Sequence, residues 1–327
     1  MTSSGLLSST DPVLQAAVNA GLDRVEERLQ DVVTSSHPLL SEAAAHLMEA
    51  GGKRFRPLLA LLAAQFGDGA VPAVIDAAVV VELTHLATLY HDDVMDEAPV
   101  RRGAESANTR WSNTVAILTG DYLFARASDL TAGLGTEATH LQSRTFARLV
   151  EGQIAETAGP AEGEDPVAHH LHVLADKTGS LISTSARLGA LMAGAPAEVV
   201  ETLASYGEVI GLAFQLSDDL IDVLSETEKS GKTPGTDLRE GIATLPVLLV
   251  RASGDPALEA LLAGDLSSDA ALDEALRRLR AHPAMAQARE QLQTYVDRAR
   301  TIAATLPAGS ARDALVALSD FVLARTG

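Results

Sequence analysis

The chain has no cysteine. That excludes disulfides, thiolate catalysis and cysteine-ligated zinc, and it fits a reducing compartment. Its first residues, MTSSGLLSSTDPVLQ, lack the basic segment and apolar core of a secretory leader. No apolar stretch reaches the ~18 residues of a membrane span without a charge in it. The richest window, VPAVIDAAVVVELTHLATLY, carries Asp76 and Glu82. A cytoplasmic protein with no transmembrane segment is expected.

Positive charge is also scarce. Lys+Arg total 25 against 44 Asp+Glu, a net charge of −19. Nucleic acid cannot be held on a diffuse basic surface by such a chain, so anions must be met at discrete cationic points or through bound metal. Lysine is the rarest cation. Only Lys53, Lys177, Lys229 and Lys232 occur, leaving 25 − 4 = 21 arginines. A chain that prefers arginine this strongly keeps lysine where a compact ammonium is wanted. The phosphate-loop pattern GxxxxGK[ST] is missing, as are tandem repeats and sustained period-two alternation.

What remains is helix. At 46% hydrophobic, 327 residues can bury a sizeable core. Asp11-Pro12 opens a helix whose apolar positions recur at three-to-five spacing. Further helices are predicted at 40–50, from Pro57 to about Gly67, and from Pro72 through the acidic run near 96. After a 97–110 loop they continue at 112–132, 136–158, 167–194 and 197–225. A polar segment at 225–241 precedes helices at 242–252, 256–263, 268–304 and 309–325. With no composition break, the expectation is one all-α domain over 1–327 with a core of long packed helices.

One internal echo carries chemistry: DDVMD at 92–96 and DDLID at 218–222. Asp92 and Asp96 are an i,i+4 pair on one helix face, about 6 Å apart along the axis, and so are Asp218 and Asp222. Asp93 and Asp219 lie about 100° around the helix. Like charges at this spacing destabilise a helix, and both sets fall near a helix C-terminus, where the dipole disfavours anions. A bound cation removes both penalties. Carboxylates without His or Cys suit a hard ion, above all Mg²⁺. A solvated acidic helix end is the alternative, but two such sets, each behind an apolar helix, weigh against it. Cations sit at discrete motifs: Lys53, Arg54 and Arg56 in GGKRFRP, Arg101 and Arg102 after the first acidic set, Lys177 in DKTGS and Lys232 in SGKTPGTD. Helix N-termini and arginine forks both receive phosphate.

GGKRFRP, HLATLYHDDVMDEAPVRRG, DKTGSL, FQLSDDLIDV and GKTPGTDLREG together, in this order, resemble the trans-isoprenyl diphosphate synthases, the polyprenyl synthetase family, over nearly the whole chain. The resemblance implies an all-α isoprenoid synthase-like fold, a single large bundle of long antiparallel helices around a central apolar cavity, a homodimer, Mg²⁺ dependence, and head-to-tail addition of isopentenyl diphosphate to an allylic diphosphate primer. It implies that Asp92, Asp96 and Asp218 hold Mg²⁺, with Asp93, Asp219 and Asp222 in the same catalytic sets. Lys53, Arg56, His85 and Arg102 would bind isopentenyl diphosphate. Arg101, Lys177, Thr178, Gln215 and Lys232 would bind the allylic diphosphate, with Lys177 and Lys232 also catalytic, under a mobile loop at 225–241. Released diphosphate, not a side chain, would take the final proton. The pattern departs at EGQIAETAG, where Glu156 stands in place of an aspartate common in the family.

The helix leading to Asp92 also serves as a ruler. One turn rises about 5.4 Å, close to one extended isoprene unit. Thr88, then His85 and Thr84, then Val81 lie below Asp92, with Ala87 beside Thr88. An aromatic at 87 or 88, as in relatives that make farnesyl diphosphate, would close the pocket about a turn down. Small residues here predict products of C20 or longer, unless Tyr122 or Phe124 closes the floor. A terpene cyclase would lack the second DDxxD and GGKRFRP, and a non-catalytic partner subunit would carry degenerate aspartates. The run His169, His170 and His172 reads as a solvated helix start.

Overall fold

The computed structural model describes residues 11–225 and 234–326. It is all-α apart from one two-residue hairpin, as the periodicity predicts. The chain groups into two compact units, Met1–Ala147 with Leu181–Gly207 and Ala303–Ala317, and Arg148–Ser180 with Glu208–Ile302 and Leu318–Gly327.

The first unit begins with α1 (Pro12–Val33), where Asp11 accepts from the Val13 amide at 2.9 Å and Pro12 fills the first turn. Then come α2 (Pro38–Glu49), α3 (Phe55–Ala63) with a 3₁₀ turn at Ala64–Phe66, and α4 (Pro72–Met95). Valines 79–81 are weak helix formers, but burial on every side holds α4 helical: Val74, Ala77, Ala78, Leu83 and Leu86 have no exposed surface. By length and composition α4 is apolar enough to cross a membrane, but 72% of its most apolar window is buried inside the protein. It is a core helix.

The predicted 97–110 loop contains more structure than its composition suggests: β1 (Val100–Arg101) pairs antiparallel with β2 (Ala104–Glu105), and α5 (Ala107–Arg110) follows. Helix α6 (Asn113–Leu134), capped by Ser112, packs along α4. The approach is close. A Cβ on Gly120 would stand 2.3 Å from His91 Nε2. Helix α7 (Thr136–Ala158) starts in this unit, which also takes in most of α9 (Ser180–Met192) and the first turns of α10 (Ala197–Leu224).

The second unit holds α8 (Pro166–Leu174), a π-turn at Ala175–Gly179 and the rest of α10. After α11 (Thr236–Arg239) come α12 (Leu245–Ser253), α13 (Pro256–Leu262), α14 (Asp269–Ala281) and most of α15 (Ala284–Ala304). The last turns of α16 (Ser310–Ala324) also belong to it. Two predicted helices are broken. The 268–304 helix stops at Ala281 because Pro283 has no amide to donate and clashes with the preceding turn. The 167–194 helix is interrupted by the π-turn. Residues 226–233 of the polar loop, including Lys229 and Lys232, lie outside the described residues.

Candidate active site

In the first unit α4 delivers its aspartates at its C-terminal end. Asp96 is the C-cap. Glu97 adopts φ 49°, the Ala98 amide donates to the Asp93 carbonyl at 3.0 Å, and the Glu97 amide reaches the Val94 carbonyl at 3.4 Å. This is a Schellman closure with glutamate in the left-handed position usually given to glycine. Asp96 is exposed, Asp92 half-buried and Asp93 fully buried. Arg101 Nε donates to Asp93 Oδ1 at 2.6 Å, while Asp93 Oδ2 is buried without a partner. Burial pushes the Asp93 carboxyl pKa up, against the pull of Arg101.

The hairpin makes that pairing possible. Arg102 and Gly103 are its two loop residues, and both have positive φ, 55° and 79°, the pattern of a type I′ turn. The turn sends Arg101 back to Asp93 and Arg102 to the Leu47 carbonyl at 3.0 Å and to the Gly51 carbonyl. Arg54 is committed to structure. Its guanidinium meets Glu26, Glu82 and the Met48 carbonyl, binding α1, α2 and α4 together. Glu82 therefore breaks the apolar run in sequence because it is the buried partner of Arg54. Arg56 and Arg102, in contrast, have no carboxylate in ion-pair contact among the described residues, and Arg56 Nε is buried without a partner. Burial pushes Arg56 down to about 10, and Arg102 pushes the same way against Glu82. His85 lies among these cations. Burial, then Arg56, Arg102, Arg54 and Arg101, hold its imidazole well below the ordinary range. Arg56, His85, Arg101 and Arg102 are thus brought together, while Lys53 is exposed at the start of the same motif.

The ruler residues differ in access. Ala87 is fully enclosed and Thr84 nearly so, whereas Thr88 keeps accessible surface. Tyr122 turns its hydroxyl to the Thr34 carbonyl at 3.1 Å. Phe124 lies 5.8 Å from the His91 ring and 4.2 Å from the Phe146 ring, lining a cavity of 310 Å³ with Phe146, Ser128, Thr131 and Gln142.

In the second unit the π-turn carries Lys177 and Thr178, and such turns recur at functional sites. Lys177 donates to Glu156, so the departure from the family pattern is the partner of a predicted diphosphate ligand. Thr178 Oγ1 reaches Gln215 Oε1 at 3.4 Å. Arg148 secures the turn through Asp176 at 2.9 Å and Glu208 at 2.6 Å. A side chain at Gly152 would come within 2.8 Å of the Lys177 amide nitrogen. The second aspartate set divides by partner. Asp218 accepts from Arg325, whose guanidinium lies 4.6 Å over Phe214. Asp219 is buried and accepts from His170 Nε2 at 3.1 Å. Asp222 accepts from the Thr236 and Asp237 amides at 3.1 and 3.3 Å. The histidine run is therefore not a solvated helix start: His169 and His170 are largely covered and paired, and only His172 remains open. Sequence reasoning missed His170, Arg325, Arg148 and Glu82. Only the histidine run carries a signal, and its polar composition suggests exposure instead.

The donors fit a hard divalent ion. All are carboxylates, and among the described residues no three His, Asp or Glu side chains converge to enclose an ion by themselves. Mg²⁺ is commonly held in that manner, by one or two carboxylates completed by substrate phosphates and water.

The polyprenyl synthetase family model matches residues 37–279. A nonaprenyl diphosphate synthase of Mycobacterium tuberculosis is 51% identical over 323 residues, covering 97% of this chain and 96% of its own. Among solved structures, a geranylgeranyl pyrophosphate synthase from Corynebacterium glutamicum complexed with calcium and isoprenyl diphosphate superposes with a TM-score of 0.87 at 44% identity, covering 97% of this chain and 98% of its own. A decaprenyl diphosphate synthase from Rhodobacter capsulatus gives 0.87 at 34% identity, covering 96% and 98%. Both aspartate sets, the arginines around His85 and these likenesses converge on one assignment: the chain belongs to the polyprenyl synthetase family.

Proposed function

We propose that this protein is a prenyltransferase that adds isopentenyl diphosphate head-to-tail to an allylic prenyl diphosphate, making an all-trans product of C20 or longer. One observation carries the reading. Arg56 and Arg102, half-buried beside His85, have no carboxylate in ion-pair contact among the described residues. Clustered guanidinia without a carboxylate in contact call for an anion, and forked donors suit a diphosphate.

In this reading Lys53, Arg56, Arg102 and neutral His85 bind and orient isopentenyl diphosphate. Lys177, Thr178, Gln215, Arg101 and Lys232 bind the allylic diphosphate. Asp92, Asp96 and Asp218 would hold Mg²⁺, which supplies charge that offsets the departing diphosphate; Asp93, Asp219 and Asp222 support the sets. An apolar site keeps water from the allylic cation, and the released diphosphate takes the final proton. Thr88, which keeps accessible surface, leaves room for a long tail, with small Ala87 and Thr84 beside it in the core. A single polyprenyl synthetase domain spans the chain, which acts in the cytoplasm. It works as a homodimer; exposed Ile117 and Leu118 on α6 support this.

Labelled isopentenyl diphosphate, offered with geranyl, farnesyl or geranylgeranyl diphosphate with and without Mg²⁺, tests the proposal. Mg²⁺-dependent products of C20 or longer are expected, and no elongation from any primer would overturn it. Asp92→Ala should cut turnover by orders of magnitude, and sedimentation should give twice the 34.1 kDa chain mass.

A further inference from the structure

The second aspartate of each DDxxD set is the buried one. Asp93 and Asp219 are both buried, and each is engaged by a side chain of the protein itself, Arg101 for Asp93 and His170 for Asp219. In each case the partner belongs to a segment that also carries predicted diphosphate ligands. Arg101 sits in the hairpin with Arg102. His170 sits on α8, which runs directly into the π-turn with Lys177 and Thr178.

From His170 a continuous polar path can be followed. Its Nε2–H donates to Asp219 Oδ2 at 3.1 Å. Gln215 donates Nε2–H to Asp219 Oδ1 at 3.5 Å, and Gln215 Oε1 accepts from the Thr178 hydroxyl at 3.4 Å. The carboxylate can only accept, so it takes the amino end of Gln215 and turns the carbonyl end toward Thr178. A buried carboxylate held from one side only would be costly and free to turn; His170 supplies the other side.

We propose that His170 is a positioning residue for the allylic diphosphate subsite, acting through Asp219 and Gln215 on Thr178. The inference rests on the prenyltransferase reading above and adds a residue that neither the motifs nor the resemblance assigned. It also separates the two substrates. The path ends on residues predicted to hold the primer and touches none predicted to hold isopentenyl diphosphate.

The test compares wild type, His170→Ala, His170→Gln and Gln215→Ala. Steady-state kinetics give KM for farnesyl diphosphate and for isopentenyl diphosphate. Calorimetry with unreactive farnesyl thiodiphosphate and Mg²⁺ gives affinity apart from turnover, and circular dichroism reports folding. His170→Ala should weaken farnesyl thiodiphosphate binding and raise its substrate's KM about tenfold, the scale of lost outer-shell support. KM for isopentenyl diphosphate should stay within about twofold on the same reasoning. His170→Gln keeps a donor near the Nε2 position and should restore most of the loss, and Gln215→Ala should reproduce it. Unchanged thiodiphosphate affinity in folded His170→Ala, or equal weakening of both substrates, would overturn the role. Were His170→Ala unfolded, Gln215→Ala binding the primer as wild type does would overturn it instead. A wild type that elongates alongside such results removes this inference alone, whereas a wild type that elongates nothing removes the reading beneath it.

Discussion

Arg54 Nη1 lies 3.0 Å from Glu82 Oε1, and both side chains are buried. Without Glu82, Arg54 keeps Glu26 but loses a buried charged hydrogen bond, so Glu82→Ala should cost about 1–3 kcal/mol in urea unfolding. Replacing both with methionine should recover most of that loss, because an apolar pair of similar volume carries no desolvation penalty. A single Glu82→Ala substitution with unchanged midpoint would contradict the clamp.

His85 makes stability fall in acid. Its folded pKa is held well below the ordinary value by burial and the surrounding arginines, while the unfolded chain protonates it near ~6.5. Below that value the unfolded state binds the extra proton, so the stabilisation present at neutral pH is lost as pH falls through it. The melting temperature of wild type should therefore drop below about pH 6.5 more steeply than that of His85→Gln. Inorganic diphosphate, an anion among the same arginines, should narrow the gap. Parallel curves for the two proteins would refute this.

Thr88 is a better probe of product length than Ala87. Thr88→Phe, on accessible surface a turn below Asp92, should shorten the product in chromatography of the prenyl chains. Ala87→Phe meets a fully enclosed site, so it should first lower stability by about 1–3 kcal/mol. Unaltered product length in Thr88→Phe would move the floor to Phe124 and Phe146.

Gly120→Ala should destabilise by about 1–3 kcal/mol, since the added methyl overpacks against the His91 ring. In a His91→Ala background the same change should be nearly neutral. The double-mutant cycle reads the coupling directly.

The aspartate echo and helix α4 were legible because DDxxD and 3.6-residue spacing are local patterns. Caps were legible for the same reason; Asp11-Pro12 announces α1. Pro283 carried its own stop signal, which continuous periodicity on both sides obscured. The π-turn is different, because one extra residue per turn leaves no compositional mark around Lys177. Long-range partnerships stayed hidden. Nothing near Glu82 names Arg54, 28 positions away, and nothing in HHLH names Asp219. Likewise, the hairpin turn depends on Arg102 tolerating a backbone conformation that its side chain disfavours.

Arg325 and Asp218 are 107 positions apart in sequence yet joined. For anyone engineering this chain, its tail is then no neutral handle. A fusion or truncation that disturbs the last turn of α16 acts as a remote substitution in the second aspartate set, and affinity tags belong at the opposite terminus.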